Sequence, residues 1–340
     1  MELAQFGCGK GVSPGLQSLV ARQAAINPSL QFARQELQRS GVELDVKAVH
    51  RIARQCGESL LELRKHRLML FRAGKLTVGT ELAGKRVSVQ IDGGRVKLRG
   101  PLRDKTPESE PTNEEGEVIE DAAGRSKTQA DKTFDAEWRE PKLVVIFVHD
   151  EQGRMEKDSQ ATIDGTFLGP DAIAELVAMH LHRLGAAAAL SVTFVNDGAP
   201  WIWDRLERIV ELAKLQNVKT HEVLDNCHAA HHIALALTAF GLDKKERMPM
   251  YRHLRTLLRN GQWRKVVQEL SDLASENLTG ASREAMETEI AYLRKHGEAG
   301  RLSYPHFRKL GLPLGSGAIE SNIRRVINLR LKSNGAFWYE

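Results

Sequence analysis

Cysteine is scarce in this sequence and long apolar runs are missing, and each shortage argues against a class of protein. The 340 residues include three cysteines, which are far apart and form no Cys-x-x-Cys pair, so neither a disulfide framework nor a cysteine-rich zinc site is expected. The longest apolar runs are much shorter than the roughly 20 residues that span a bilayer. The first residues lack the basic and apolar segments of a signal peptide. We therefore expect a cytoplasmic protein with no membrane partner.

Apolar residues are plentiful enough for sizeable cores, whereas the charges are unevenly distributed. Hydrophobic residues make up 41% of the chain, and at roughly 100 to 200 residues per domain the length allows two or three domains. The net charge is +5, but residues 104–140 contain 12 acidic and 5 basic side chains, so the other 303 residues carry a net charge of +12. We expect 104–140 to be a mobile acidic insertion and the remainder to suit a polyanionic partner.

Residues 1–79 have the periodicity of amphipathic helices. A helix that ends near Ser40 and Gly41 is followed by Asp45, a suitable N-cap for a second helix. This is the layout of a helix-turn-helix, whose second helix would present side chains to phosphates or base edges in a major groove. Those side chains are Lys47, His50, Arg51 and Arg54. A structural helical domain has the same pattern, so both interpretations stay open.

From about residue 85 the pattern changes to that of strands. KRVSVQIDG predicts a first strand, and RVKLRG predicts a hairpin partner across Asp92-Gly93-Gly94. KLVVIFVHD predicts a central strand covered on both faces, and ATIDGTFLG has no clear pattern. LSVTFVND and VKTHEVLD predict later strands, separated by helices at about 170–184 and from about Pro200. Because strands joined by short links run antiparallel and strands separated by helices run parallel, we expect a mixed sheet in an α/β domain.

The last third of the sequence shows helical periodicity and many cations. No strand pattern occurs between His228 and about Arg301. This stretch contains the candidate DNA-binding residues Arg255, Arg259 and Arg264, although a solvated basic face is the simpler interpretation, and Trp263 beside them is a candidate for contacting DNA. The loop GSGA then leads into a helix predicted from about Ala318 to Lys332. Its cations are further candidates for DNA contact: Arg324, Arg325, Arg330 and Lys332.

Two aspartates follow apolar strands at their carboxyl ends. Asp92 precedes a double glycine and Asp197 precedes Gly198. If the two strands are parallel neighbours, the carboxylates lie within a few ångströms, where their repulsion is costly unless a cation separates them. Magnesium prefers such ligands, and Glu320, at the start of the basic helix, would complete a site for two ions that act in displacement at phosphorus. Taken singly, each aspartate also suits a turn, and Glu320 suits a helix N-terminus.

Four motifs together resemble the ribonuclease-H-like catalytic core of DDE transposases from bacterial insertion sequences. They are VSVQIDGGRVKLR, VTFVNDGAPWIWDR, VLDNCHAAHH and GSGAIESNIRRVINLRLKSNGAFW, and the resemblance covers residues 86–340. It implies an α/β fold: a ribonuclease-H-like mixed five-stranded sheet with flanking helices, preceded by a helix-turn-helix-like domain and interrupted by an all-α insertion. The core would cover 85–227, the insertion 228–305, and the completion of the core 306–340.

The same resemblance implies a reaction. Asp92, Asp197 and Glu320 would form the catalytic triad and hold two Mg²⁺ ions, for which Mn²⁺ could substitute, in DNA strand cleavage and strand transfer. The partners would be double-stranded DNA, as inverted-repeat ends and as target, and further copies of the chain in a synaptic homo-oligomer. The protein would associate with the nucleoid when bound to DNA. Relatives tend to be longer at both ends, so we expect a truncated copy.

An Asp-x-x-His motif at Asp225 and His228 resembles one in mutator-type relatives. The resemblance implies an auxiliary role for both residues, with His228 contacting phosphate or orienting a water. Alternatively, Asp225 caps a helix and His228 packs beneath it. Two other functions also stay open: a metal-dependent nuclease or resolvase that cuts DNA without joining it, and a DNA-binding remnant whose core no longer catalyses.

Overall fold

The computed structural model describes residues 11–100, 135–277, 280–332 and 338–339. The expected acidic insertion lies outside the described residues up to position 134. Its last part, 135–139, forms a strand, so the expected boundary at 140 is too late. None of the helices in the described ranges is long and apolar enough to cross a membrane.

Three helices form the described part of the N-terminal region, from residue 11 onward. They are α1 (Pro14–Ile26), α2 (Leu30–Arg39) and α3 (Val46–Arg72). Each begins at a side chain that accepts a backbone N–H group, namely Ser13, Ser29 and Asp45. Their apolar stripes bury a separate small core. The two helices flanking Ser40 are confirmed, but α3 is 27 residues long, and its second half reaches the central sheet, where Arg64 pairs with Asp164.

The described residues form eight strands in two sheets. The strands are β1 (Arg86–Gly93), β2 (Val96–Gly100), β3 (Asp135–Arg139), β4 (Lys142–Val148), β5 (Thr162–Thr166), β6 (Ser191–Asn196), β7 (Lys219–Leu224) and β8 (Trp338–Tyr339). The larger sheet has the order β5-β4-β1-β6-β7. In it β4 is antiparallel to β1 and β5, whereas β1, β6 and β7 are parallel. The expected α/β fold with a mixed five-stranded sheet is confirmed.

The predicted hairpin between β1 and β2 is wrong. Both edges of β1 are occupied, by β4 and β6, so no edge is left for β2. Instead β2 pairs with β3 and β8 in a small three-stranded sheet. Gly94 lies at the exit from β1, where a Cβ would overlap the side chain of Ile327. The remaining strand of the large sheet is β5, from the stretch ATIDGTFLG.

Helices cover both faces of the large sheet. The face that carries Val87, Val89 and Ile91 of β1 packs against α4 (Pro170–Arg183), α5 (Pro200–Trp203) and α6 (Leu206–Leu212). The described part of 228–301 contains no strand, as expected, and forms α7 (Asn226–Ala239), α8 (Lys244–Arg259), α9 (Trp263–Asn277) and α10 (Gly280–Glu298). The chain continues through α11 (Tyr304–Lys309) and α12 (Gly317–Asn322), then a π-helical turn (Ile323–Asn328) and α13 (Leu329–Leu331).

The two faces are distinguished by the alternation of side chains along the strands. Val87, Val89 and Ile91 of β1 join the main apolar core with α4. On the opposite face, Leu143, Val145 and Phe147 of β4 pack against Ile319 and Ile327 of the C-terminal helix. The helix that bears Glu320 therefore lies on the face of β1 that carries Ser88, Gln90 and Asp92.

Candidate active site

The carboxyl ends of three parallel strands bring three aspartates to one edge of the sheet. Partners in β1 and β6 are 105 positions apart, as in the bond from the Ile91 N–H to Asn196 Oδ1 (2.7 Å). The same offset places Asp92 beside Asp197. β7 continues the row, because the Asp225 N–H donates to the carbonyl of Asn196 (2.9 Å). The spatial neighbourhood predicted for Asp92 and Asp197 therefore follows from the strand register.

The Asp92 carboxyl group is partly buried and lies near like charges. Burial and the charges of Asp197 and Glu320 raise the pKa of Asp92 to about 6. The Gly93 N–H, which donates to Asp92 Oδ1 (2.7 Å), and His228 shift this pKa in the opposite direction. Above pH 6, the folded protein therefore keeps an ionised carboxylate where burial and repulsion both disfavour it.

Asp197 begins the connection from β6 to α5. Its Oδ1 accepts the Ala199 N–H (3.1 Å), and its carbonyl accepts the indole N–H of Trp203 (2.6 Å). Burial raises the pKa of Asp197, and the charge of Asp225 adds to the increase, while the Ala199 N–H and His228 reduce it. The backbone of Asp197 is thus fixed on both sides, and its carboxylate is held at the edge of the sheet.

Glu320 lies in the first turn of α12, whose start is clamped to β1 by Gln90. Gln90 Nε2 donates to the carbonyl of Gly315 (3.1 Å), and Gln90 Oε1 accepts the Ile319 N–H (3.0 Å). Gln90 is buried, so these bonds are sheltered from water. Because Gln90 precedes Asp92 by two residues, the strand that carries Asp92 also positions the helix that carries Glu320.

Asp225 links α7 to the GSG loop. Its Oδ1 accepts the N–H groups of Cys227 (2.6 Å) and His228 (2.9 Å), and its Oδ2 lies 2.8 Å from Ser316 Oγ and also accepts the Ser316 N–H. Ser316 Oγ is 3.0 Å from Glu320 Oε1. Asp225 is 1% exposed, which makes it a buried connector between the strand end and the Glu320 helix.

The structural interpretation of the Asp-x-x-His motif holds for Asp225 but not for His228. Asp225 caps α7, as the structural interpretation expects. The His228 ring does not pack beneath the helix: its side chain is 41% exposed, and its Nε2 is 3.7 Å from Glu320 Oε1. An auxiliary role for His228 therefore stays a prediction with a suitable geometry.

The donor atoms at this edge suit a hard divalent cation, although the side chains are not arranged as a finished cage. Among the described residues, no three His, Cys, Asp or Glu side chains are placed to hold a metal ion together. The oxygens of Asp92 and Asp197 meet the preference of Mg²⁺, and a cation would relieve the repulsion that raises the pKa of Asp92. Glu320 is half-exposed and faces Ser316 and His228, so its carboxylate would have to turn toward the aspartates.

The candidate DNA-binding residues are at the surface wherever their side chains are described. They are Lys47, Arg51, Arg54, Arg255, Arg259, Arg264, Arg324, Arg325 and Lys332. The side chain of Arg330 lies outside the described residues. Trp263, by contrast, is buried against Gly297, so the expectation that it contacts DNA is wrong. DNA contact by the exposed cations stays a prediction.

Sequence reasoning missed three residues that position the carboxylates. Gln90 and Ser316 hold the Glu320 helix, and Tyr292 of α10 packs so closely on Gly198 that a Cβ there would overlap its ring. The alternation in VSVQID, which puts a glutamine on the face of Asp92, was a usable signal for Gln90. Nothing local in the sequence indicates that Tyr292 lies beside Gly198, since the two residues are far apart in the chain.

Comparisons of this chain with protein-family models, with curated proteins and with solved structures return no match.

Proposed function

We propose that this chain is a DNA transposase of the DDE class, whose ribonuclease-H-like core catalyses metal-dependent cleavage and transfer of DNA strands. One observation carries the proposal: Asp92 and Asp197 end neighbouring parallel strands, and the helix that bears Glu320 is clamped to the same strand as Asp92. The all-helical stretch α7–α10 lies between the second and third carboxylates in the chain, as it does in transposases that resemble this sequence.

Asp92, Asp197 and Glu320 would hold the divalent cations. When bound, a pair of Mg²⁺ ions supplies activation of the attacking hydroxyl and stabilisation of the leaving oxygen at phosphorus. The protein contributes the placement of its carboxylates, because Gln90 fixes the start of α12, and Ser316 with Asp225 fixes the loop before it.

Two sets of nearby side chains would act on the DNA itself. His228 is exposed beside Glu320 and would contact a phosphate or orient the attacking water. Arg324 and Arg325 are exposed on the helix that follows Glu320 and would neutralise backbone phosphates without reading bases. Deleting one of these cations should weaken binding about equally for all DNA sequences and lower its salt dependence.

A plasmid assay tests the proposal. Purified protein is incubated with Mg²⁺, a supercoiled plasmid that carries the coding sequence with its native flanking DNA, and a second plasmid as target. We expect cleavage at the flanks and joined products that sequencing detects. Asp92→Asn, Asp197→Asn and Glu320→Gln should each abolish both steps, whereas Asp158→Asn, at an exposed aspartate away from the site, should act like the wild type.

The same assay separates the rival functions. Cleavage without joined products would identify a nuclease or resolvase. No cleavage by the wild type in Mg²⁺ or Mn²⁺ would contradict the proposal. If a separate measurement then showed DNA binding that Asp92→Asn leaves unchanged, it would identify a binding protein.

A further inference from the structure

A charged cavity lies between α3, the edge strand β5 and α4, away from the strand ends that carry Asp92 and Asp197. Its volume is about 870 Å³, which is in the range of small-molecule sites. Five ionisable side chains of fixed charge line it: Arg64, Arg67, Arg183, Glu81 and Asp164. Cations therefore outnumber carboxylates around this cavity.

One of the three arginines is paired within the protein. Arg64 Nη1 donates to Asp164 Oδ1 (3.0 Å) and to the carbonyl of Gly165 (2.7 Å). The other Asp164 oxygen is 2.8 Å from His180 Nε2. Both oxygens of Asp164 are thus occupied, and this carboxylate does not neutralise the remaining arginines.

In the described part of the chain, Arg67 and Arg183 lack comparable partners. Within the part of the chain that the structure describes, Arg67 forms no ion pair, and the nearest carboxylate oxygen to Arg183 is that of Glu81, at 3.9 Å on a largely exposed side chain. Among the described residues the buried Nε of Arg183 has no hydrogen-bond partner, which native structures rarely tolerate unless another group satisfies it. Burial lowers the pKa of Arg183, and so does the charge of Arg67, because the two guanidinium groups repel each other.

We propose that this cavity binds a phosphate-bearing ligand of nucleotide size, with its phosphate between Arg67 and Arg183. A phosphate accepts paired N–H bonds from guanidinium groups and would cancel the repulsion between Arg67 and Arg183. His180 adds a third polar group, because it lines the cavity and its Nδ1 has no hydrogen-bond partner in the described ranges. The apolar part of the lining, which would accept a sugar or base, includes Leu60, Leu63, Met179 and Leu184.

The phosphate could belong to a free nucleotide or to a DNA backbone, and the chemistry of recognition is the same. The inference does not rest on the proposed function, since none of the candidate catalytic carboxylates lines this cavity. If Asp92, Asp197 and Glu320 proved to have no catalytic role, the phosphate site would therefore be unaffected.

Binding measurements on the full chain test the proposal. The probes are inorganic pyrophosphate, ADP and a fluorescein-labelled DNA duplex. The test variant is Arg67→Gln, and the control is Arg22→Gln, which removes the same charge from an exposed position on α1. Losing a charge-assisted bidentate contact should weaken binding about tenfold or more. The unliganded Arg67→Gln protein should melt no lower than the wild type, because the substitution removes a repulsion.

The probes identify the source of the phosphate. Weaker binding of pyrophosphate and ADP, with unchanged duplex binding, would support a free nucleotide. Weaker duplex binding, with a slope of log K against log salt reduced by about 0.9, would support the DNA backbone. If Arg67→Gln unfolds, Arg67→Lys, which keeps the charge but not the guanidinium fork, is compared instead and should bind several-fold more weakly. Affinities equal to those of Arg22→Gln for all three probes would overturn the proposal.

Discussion

Replacing Asp92 by asparagine should stabilise the metal-free protein while removing its activity. Burial and the neighbouring carboxylates raise the pKa of Asp92 from 3.8 to about 6 in the folded state. A shift of about two units corresponds to roughly 3 kcal/mol of unfavourable free energy for the ionised form. Asparagine has the same shape, can still accept the Gly93 N–H, and carries no charge. We therefore expect Asp92→Asn to raise the free energy of unfolding by about 2–3 kcal/mol near neutral pH.

The gain in stability from Asp92→Asn should depend on pH. Because the folded pKa is raised, the folded state binds the Asp92 proton more tightly than the unfolded state does. Stability is therefore greatest below the unfolded pKa and is lost as the pH rises through about 6. The advantage of Asp92→Asn should be about 3 kcal/mol at about pH 7.5 and should fall to about 1 kcal/mol at about pH 4.5.

Urea unfolding in EDTA at these two pH values is the assay. Asp158→Asn, at an exposed aspartate, is the matched control and should change stability by no more than about 0.5 kcal/mol at either pH. Adding Mg²⁺ should stabilise the wild type more than Asp92→Asn, because only the wild type has the full set of carboxylates. An advantage of Asp92→Asn that is absent near pH 7.5, or equal at the two pH values, would refute the electrostatic reasoning.

Three further substitutions test how the carboxylates are positioned. Gln90→Ala removes two hydrogen bonds to the start of α12, so it should destabilise the protein by about 2–3 kcal/mol and lower strand cleavage. Urea unfolding and the plasmid assay measure the two effects, and normal stability and activity would contradict the role of Gln90. Ser316→Ala should lower strand cleavage by more than its loss of stability accounts for, because it removes the hydroxyl group beside Glu320. Unchanged cleavage would show that Glu320 does not need this contact. Gly198→Ala should displace Tyr292 or Asp197 and destabilise by about 1–3 kcal/mol, whereas a neutral result in urea unfolding would show that the loop yields easily.

The elements that were predicted well have strong local signals. The alternation in β1, the apolar run of β4 and the N-cap at Asp45 each specify an element from its own residues. The common end of Asp92 and Asp197 was predictable too, because the helix before β6 is a crossover that makes β6 parallel to the strand direction of β1, and parallel strands end at the same side of the sheet.

What could not be predicted depends on contacts between distant parts of the chain. The partner of β2 is decided by the occupied edges of β1 and by a strand more than 30 residues later in the chain, and neither is visible in RVKLRG. The length of α3 is likewise explained by its docking on the strand β5 through Arg64 and on the helix α4 through Arg72. Trp263 looked available to DNA because its neighbours are basic, whereas Gly297, on another helix, provides the space that buries it.

The most direct test of the central claim is to locate Mn²⁺ by anomalous scattering in crystals of the protein. The account predicts at least one anomalous peak in coordination contact with carboxylate oxygens of both Asp92 and Asp197, with Glu320 turned toward it, and no such peak in crystals of Asp92→Asn. Well-ordered wild-type crystals with no Mn²⁺ at this edge, or with Mn²⁺ bound only elsewhere, would contradict it.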